Sequence, residues 1–79
     1  MKSRNMSGSR VRRLRLLQVP AMSQTALAAC VKRHGVRLNQ DAISLIEHGL
    51  RAVTDIELVA LARCLGVPAA TLLGERSPR

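Results

Sequence analysis

The chain contains no phenylalanine, tryptophan or tyrosine. That absence removes the rings on which single-stranded nucleic acids stack their bases. It also removes the aromatic anchors that hold a basic amphipathic helix in a membrane interface. Acidic residues are scarce as well, five Asp and Glu against thirteen Lys and Arg. There are no paired carboxylates, no nucleophile beside a base and no phosphate-binding glycine loop, so nothing converges on a catalytic pocket and no enzyme is expected. No apolar run approaches the length that crosses a bilayer, and the basic start is not followed by the continuous apolar segment of a secretory leader. The expectation is a soluble, cytoplasmic protein. Cysteine is limited to Cys30 and Cys64, with neither a CxxC spacing nor a dense framework, which predicts two reduced, buried thiols. Cys30, His34, His48 and Cys64 can be drawn as a zinc set, but their spacings fit no finger pattern, so neither metal nor other cofactor is expected.

What is abundant is positive charge, a formal +8 on 79 residues. Six of the thirteen cations (Lys2, Arg4, Arg10, Arg12, Arg13, Arg15) fall in the first fifteen residues, where no acid occurs. A field so concentrated steers a protein to phosphates and releases their counterions. With single strands and membranes disfavoured, duplex DNA is the best polyanion.

The chain is long enough for one domain, whose small core stabilises it only marginally. Residues 1–8, MKSRNMSG, carry no periodicity and read as a flexible basic arm; residues 9–74 read as the folded domain and 75–79 as a disordered tail. Ser9 caps a first helix over about 10–18, with Val11, Leu14, Leu17 and Gln18 at helical spacing, ended by Val19-Pro20. Ser23 caps a second helix, QTALAACVKRH, that buries Leu27, Ala28 and Val31 and closes at Gly35. A third runs from Asn39 as cap through QDAISLIEH to Gly49. The fourth opens on the capping box Thr54-Asp55-Ile56-Glu57 and stops at Gly66. Val67-Pro68 introduces a last short helix, AATLL, with proline in its first turn. No segment alternates at period two, so no strand is predicted. The fold class is all-α, a compact five-helix bundle.

The third helix divides cleanly when its residues are placed about 100° apart. Gln40, Ser44, His48, Asp41 and Leu45 share one face, and Ala42, Ile46, Asn39 and Ile43 share the other. The first face suits base edges: Gln matches adenine N6 and N7, Asp41 accepts from a cytosine amino group, Ser44 serves either way and Leu45 meets a thymine methyl. The same pattern suits any amphipathic surface helix equally well.

Ser23-Gln24, Leu27-Ala28, Gly35-Val36, Ile43-Ser44, Ile46-Glu47, Gly49 and the run TDIELVALARCLGV, in this order and spacing, resemble the Cro and lambda-repressor-like (Xre) helix-turn-helix family across about residues 10–74. The resemblance implies a lambda-repressor-like bundle in which helices two and three form the DNA-binding unit, used as a homodimer on a two-fold operator. It implies Gln40, Asp41, Ser44 and Leu45 facing bases, with Gln24 and Arg51 at the DNA backbone, where His48 is also expected. It also puts Arg15 beside Glu47 as an ion pair tying the first helix to the third. Lys32, Arg33 and Arg37 flank the turn, where they suit phosphates. The chain departs from the family pattern in its longer VKRHGVRLNQ and QVPAM stretches and in His48, where Asn is usual. The expected role is a sequence-specific duplex-DNA-binding transcriptional regulator of repressor type, bacterial or phage-encoded and nucleoid-associated. The alternative is a protein-interaction module, such as an antitoxin gripping a toxin with the same fold. The apolar Val67–Leu73 segment is the expected added contact surface, because Leu72 and Leu73 crowd one short helix.

Overall fold

Five helices form in the order the caps and apolar spacing predict, in a computed structural model that describes residues 7–73: α1 (Gly8–Leu16), α2 (Gln24–Arg33), α3 (Gln40–Glu47), α4 (Asp55–Leu65) and α5 (Ala69–Leu72). Among the described residues there is no strand, and the fold is all-α. Most of the arm expected at 1–8 and all of the tail expected at 75–79 lie outside the described residues.

The caps behave as their chemistry dictates. Ser23 Oγ accepts from Ala26 N at 2.9 Å and Asn39 Oδ1 from Ala42 N at 2.8 Å. Thr54 and Glu57 form the reciprocal capping box of α4, Thr54 Oγ1 accepting from Glu57 N at 3.2 Å while Thr54 N donates to Glu57 Oε1 at 3.1 Å. Each such cap satisfies backbone N–H groups that have no partner within the helix.

α1 departs from expectation at both ends. It starts at Gly8 instead of after Ser9, and Ser7 and Gly8, assigned by sequence to the arm, are buried. The reason is a missing side chain: a Cβ on Gly8 would overlap the carbonyl oxygen of Ile46, so only glycine lets this first turn lie on the end of α3. At its other end α1 stops at Leu16, and Leu17 is largely exposed. Gln18 leaves the helix to donate from Nε2 to Leu14 O at 3.1 Å and Leu65 O at 3.3 Å, stitching this loop to α4. The Val19–Pro20 bond that follows is cis. Pro68 caps α5 from outside it, so the last helix is a single turn of four residues.

Val11, Leu27, Val31, Ile43, Ile46, Leu61 and Leu72 are completely buried, so each helix delivers at least one aliphatic side chain to a common centre. Burying each contributes on the order of 1.5–3 kcal/mol, and this packing holds helices too short to persist alone. Leu72 is fully inside whereas Leu73 is 52% exposed, which divides the pair that the sequence could not separate.

The cysteines require a correction. Cys30 on α2 and Cys64 on α4 are joined by a disulfide and are half-buried; they are not free core thiols. Each stands three residues after a fully buried leucine, Leu27 or Leu61, at the edge of its helix's apolar stripe. Since α2 packs on α4, the two edges meet with the Cα atoms 6.0 Å apart, inside the range a disulfide spans. Closing a loop across a separation of 34 residues is worth about 3–4 kcal/mol in the chain-entropy picture. Among the described residues no helix is long and apolar enough to cross a membrane.

Candidate nucleic-acid interface

The unit formed by α2, its turn and α3 is defined by two glycine closures. At the end of α2, Val36 N donates to Val31 O at 3.1 Å and Gly35 N to Lys32 O at 3.0 Å. At the end of α3, Leu50 N donates to Leu45 O at 2.8 Å and Gly49 N to Ile46 O at 3.0 Å. Both are Schellman closures, which need a left-handed residue, and Gly35 and Gly49 supply it with φ of 82° and 74°. Between α2 and α3 the turn alternates: Val36 and Leu38 point into the core and Arg37 out. That alternation accommodates the extra length noted in the sequence and leaves α3 seated on α2.

On α3 the buried residues are Ile43, Ile46 and Glu47, flanked by half-buried Ala42. Gln40, Asp41, Leu45 and His48 are exposed and Ser44 is half-buried, so the residues assigned to base edges share one accessible face. Asn39, on the core side of the helical wheel, is exposed instead: an N-cap lies outside the helix, and the wheel does not apply to it. His48 Nδ1 lies 2.8 Å from the Ser44 carbonyl oxygen, a geometry in which the ring nitrogen donates and the imidazole folds back on the last turn.

Beneath this face runs a polar relay. Arg15 grips Glu47 with Nε to Oε2 at 2.7 Å and Nη2 to Oε1 at 2.9 Å, and its Nη1 donates to Met22 O at 2.8 Å. Gln24 Nε2 donates to Glu47 Oε1 at 3.0 Å, and Gln40 Nε2 donates to Gln24 Oε1 at 2.7 Å. The polarity of the chain follows from its anchor. A carboxylate held by an arginine only accepts, so Gln24 must turn its NH₂ inward and its oxygen toward Gln40. Gln40 then turns its NH₂ to Gln24, leaving one N–H and its own oxygen for a further partner. That is the donor–acceptor pair adenine requires. Gln24, expected at the DNA backbone, also links Glu47 to Gln40 and so orients the Gln40 amide.

Burial alone would favour neutral Glu47. The hydrogen bonds from Arg15 and Gln24 and the nearby charges of Arg15 and Arg12 outweigh it and hold the carboxyl below the ordinary glutamate range. The Glu47 hydrogen bond correspondingly keeps Arg15 more firmly protonated than usual. Among the described residues no buried side-chain nitrogen or oxygen lacks a partner.

The cations sort differently from expectation. Arg51 is engaged by Glu57, with Nη1 to Oε1 at 2.9 Å and Nη2 to Oε2 at 3.1 Å, and by the Ala52 carbonyl, so its charge is largely balanced inside the protein. Lys32 and Arg37 instead stand on the wall of an open groove of about 680 Å³ beside Gln40, whereas Arg33, though exposed, is not on that wall. The groove exists because the outer face of α2 carries only Thr25, Ala28 and Ala29 there. Sequence reasoning passed over Thr25 and Ala29 and gave Ala28 to the core, where it is only half-buried, although the small side chains of TALAA were the available signal. Arg12, counted in the basic cluster but given no site role, is exposed one turn before Arg15, close enough for its charge to act on Glu47. Among the described residues Arg12, Arg13, Lys32, Arg33, Arg37 and Arg63 stand outside these two ion pairs, against Asp41 and Asp55.

No protein-family model matches the chain, and no curated protein or solved structure matches it significantly.

Proposed function

We propose that the protein is a repressor-like transcriptional regulator that binds duplex DNA sequence-specifically by seating α3 in the major groove. The observation that carries this reading is the oriented amide of Gln40 at the start of an exposed polar face, held by Gln24 and the buried Arg15–Glu47 pair. A merely solvated helix has no need of a relay that fixes the polarity of its first side chain. In this reading Asp41, Ser44 and Leu45 complete the base-facing set, and Lys32 and Arg37 meet phosphates from the groove rim. The resemblance to Cro and lambda-repressor-like proteins supports two copies on a two-fold site, and a cytoplasmic, nucleoid-associated role accompanies that function.

The test is selection of sites from random duplex DNA, followed by binding titrations on the selected and a scrambled site. About six neutralised phosphates give a slope of log K against log salt near −5 on both. Gln40→Ala should cost about 1–3 kcal/mol on the selected site and much less on the scrambled one. Equal losses on both, or no preferred sequence at all, would overturn the reading.

A further inference from the structure

Cys30, His34 and Cys64 come together at the α2–α4 seam, their ligand atoms all within 4.8 Å of one another. Cys30 and His34 are four residues apart on and just beyond α2, one turn of helix on the same face. Cys64 is delivered across the seam by α4. His48, the fourth member of the set drawn from sequence, is not part of the cluster and lies against the end of α3. In a tetrahedral zinc site with bonds of about 2.0–2.3 Å, ligand atoms sit roughly 3.3–3.8 Å apart, so the three residues need little more than side-chain rotation to close on an ion.

We propose that reduction of the Cys30–Cys64 disulfide converts this cluster into a three-ligand site for a thiophilic divalent cation, zinc, that replaces the covalent tie between α2 and α4. Two electrons and two protons enter from two small-molecule thiols, which leave as their own disulfide; the protein gains two thiols. The metal ion then displaces both thiol protons and binds two thiolates and the His34 imidazole. Disulfide sulfur is a poor ligand and thiolate a good one, so the cross-link and the metal exclude each other. His34 is exposed and the cysteines half-buried, so the ion has a path in and its fourth position opens outward to water or an added ligand. In a reducing compartment, where cystine does not persist, the metal retains the α2–α4 tie. This inference does not depend on DNA binding.

The full chain, reduced with excess dithiol and desalted without oxygen, is titrated with Co²⁺ and then Zn²⁺. One equivalent of Co²⁺ should produce a thiolate-to-cobalt charge-transfer band and the intense visible bands of a tetrahedral site. Zn²⁺ should then erase both by displacing the cobalt, the two protons per chain having been released when the first metal bound. The oxidised chain should show neither band. His34→Gln, a change at an exposed position, should weaken binding at least tenfold, since even residues behind the ligands are worth ten- to a hundredfold. Cys30→Ser should weaken the charge-transfer band. If the reduced apo-chain is unfolded, one equivalent of metal should restore its helical circular dichroism. Absence of the bands in the reduced wild type, their presence in the oxidised chain, or a His34→Gln titration identical to wild type would each overturn the proposal.

Discussion

Two arginine–glutamate clasps close this fold, and they differ chiefly in what surrounds them. Arg15–Glu47 joins α1 to α3 across 32 residues with side chains 9% and 0% exposed. Arg51–Glu57 spans 6 residues, clipping the α3–α4 loop to the first turn of α4, with side chains 34% and 15% exposed. Both use the same two-pronged geometry. In the half-buried Arg51–Glu57 clasp both side chains keep some contact with water. In the buried one the neighbours are Met22 O, Gln24 and the core, so neither partner can be rehydrated without opening the joint. Identical chemistry therefore serves as a local clip in one place and as a structural joint in the other.

The comparison breaks most visibly at Glu47. Glu47→Ala should cost about 3–5 kcal/mol, because it strands a buried guanidinium, even though the intact pair adds little net stability over an apolar pair. Arg15→Ala should cost a similar amount. The double variant should cost clearly less than the sum, since it leaves neither charge alone. Denaturant melts of the three variants measure this, and additive sub-kilocalorie losses would show that the joint is no joint. Gln24 would also lose its acceptor in Glu47→Ala, so the Gln40 amide would be free to flip and sequence discrimination should fall further than stability alone explains.

Acid titrates both clasps. Glu47 and Glu57 are each held below the ordinary glutamate range, Glu57 chiefly by its hydrogen bond from Arg51 and Glu47 by Arg15 and Gln24 against the opposing effect of burial. A lowered folded-state pKa means the unfolded chain binds the proton first. The stability from these groups is therefore fully present above the ordinary glutamate value of about 4.3 and is lost as pH falls through the lower folded values. Unfolding midpoints measured from pH 7 downward should stay level and then drop below about pH 4. Glu57→Gln should retain part of that drop, which then reports Glu47; a flat acid limb in that variant would mean the buried clasp is not charge-linked to folding.

Gly8 sharpens the same joint from the backbone side. Gly8→Ala places a methyl on the Ile46 carbonyl oxygen, and because the obstacle is backbone the cost should be about 1–3 kcal/mol despite the better helix propensity of alanine. An unchanged or raised melting temperature would show that α1 can pivot away from α3.

The legible parts of this molecule are those written in local chemistry. Ser23, Asn39 and Thr54 announce their helices, Gly35 and Gly49 their ends, and the period of α3 sorts Ile43 and Ile46 from Gln40 and Asp41. What stayed illegible depends on two distant segments meeting. Ser7-Gly8 looks like tail until α3 lies against it, Cys30 and Cys64 look like core thiols until α2 and α4 meet edge to edge, and Arg51 looks like an open cation until Glu57 is seen to hold it. Arg15–Glu47 is equally non-local, and only the resemblance to a known family brought those residues together. Gln24 was given a place at the interface but not its task, because the polarity of an amide is set by its neighbours in space.

The smallest effect is expected at Arg51, and it decides whether burial is the right explanation of the difference between the clasps. Arg51→Ala removes the half-buried clasp but leaves the capping box whole, since Thr54 N still donates to Glu57 Oε1 and Glu57 N to Thr54 Oγ1. The carboxylate left behind is partly hydrated and sits in the first turn of α4, where the helix dipole favours a negative charge. Nothing is stranded, so the loss should stay within about 1 kcal/mol and shrink further in high salt. Glu57→Ala should cost more than Arg51→Ala, because it removes the reciprocal half of the capping box along with the clasp. Thermal melts of both variants at low and high salt, beside Glu47→Ala, test this ordering. A loss at Arg51 as large as at Glu47, or one indifferent to salt, would mean that the loop before α4 is as structural a joint as α1 on α3, and that exposure is a poor guide to what these pairs do.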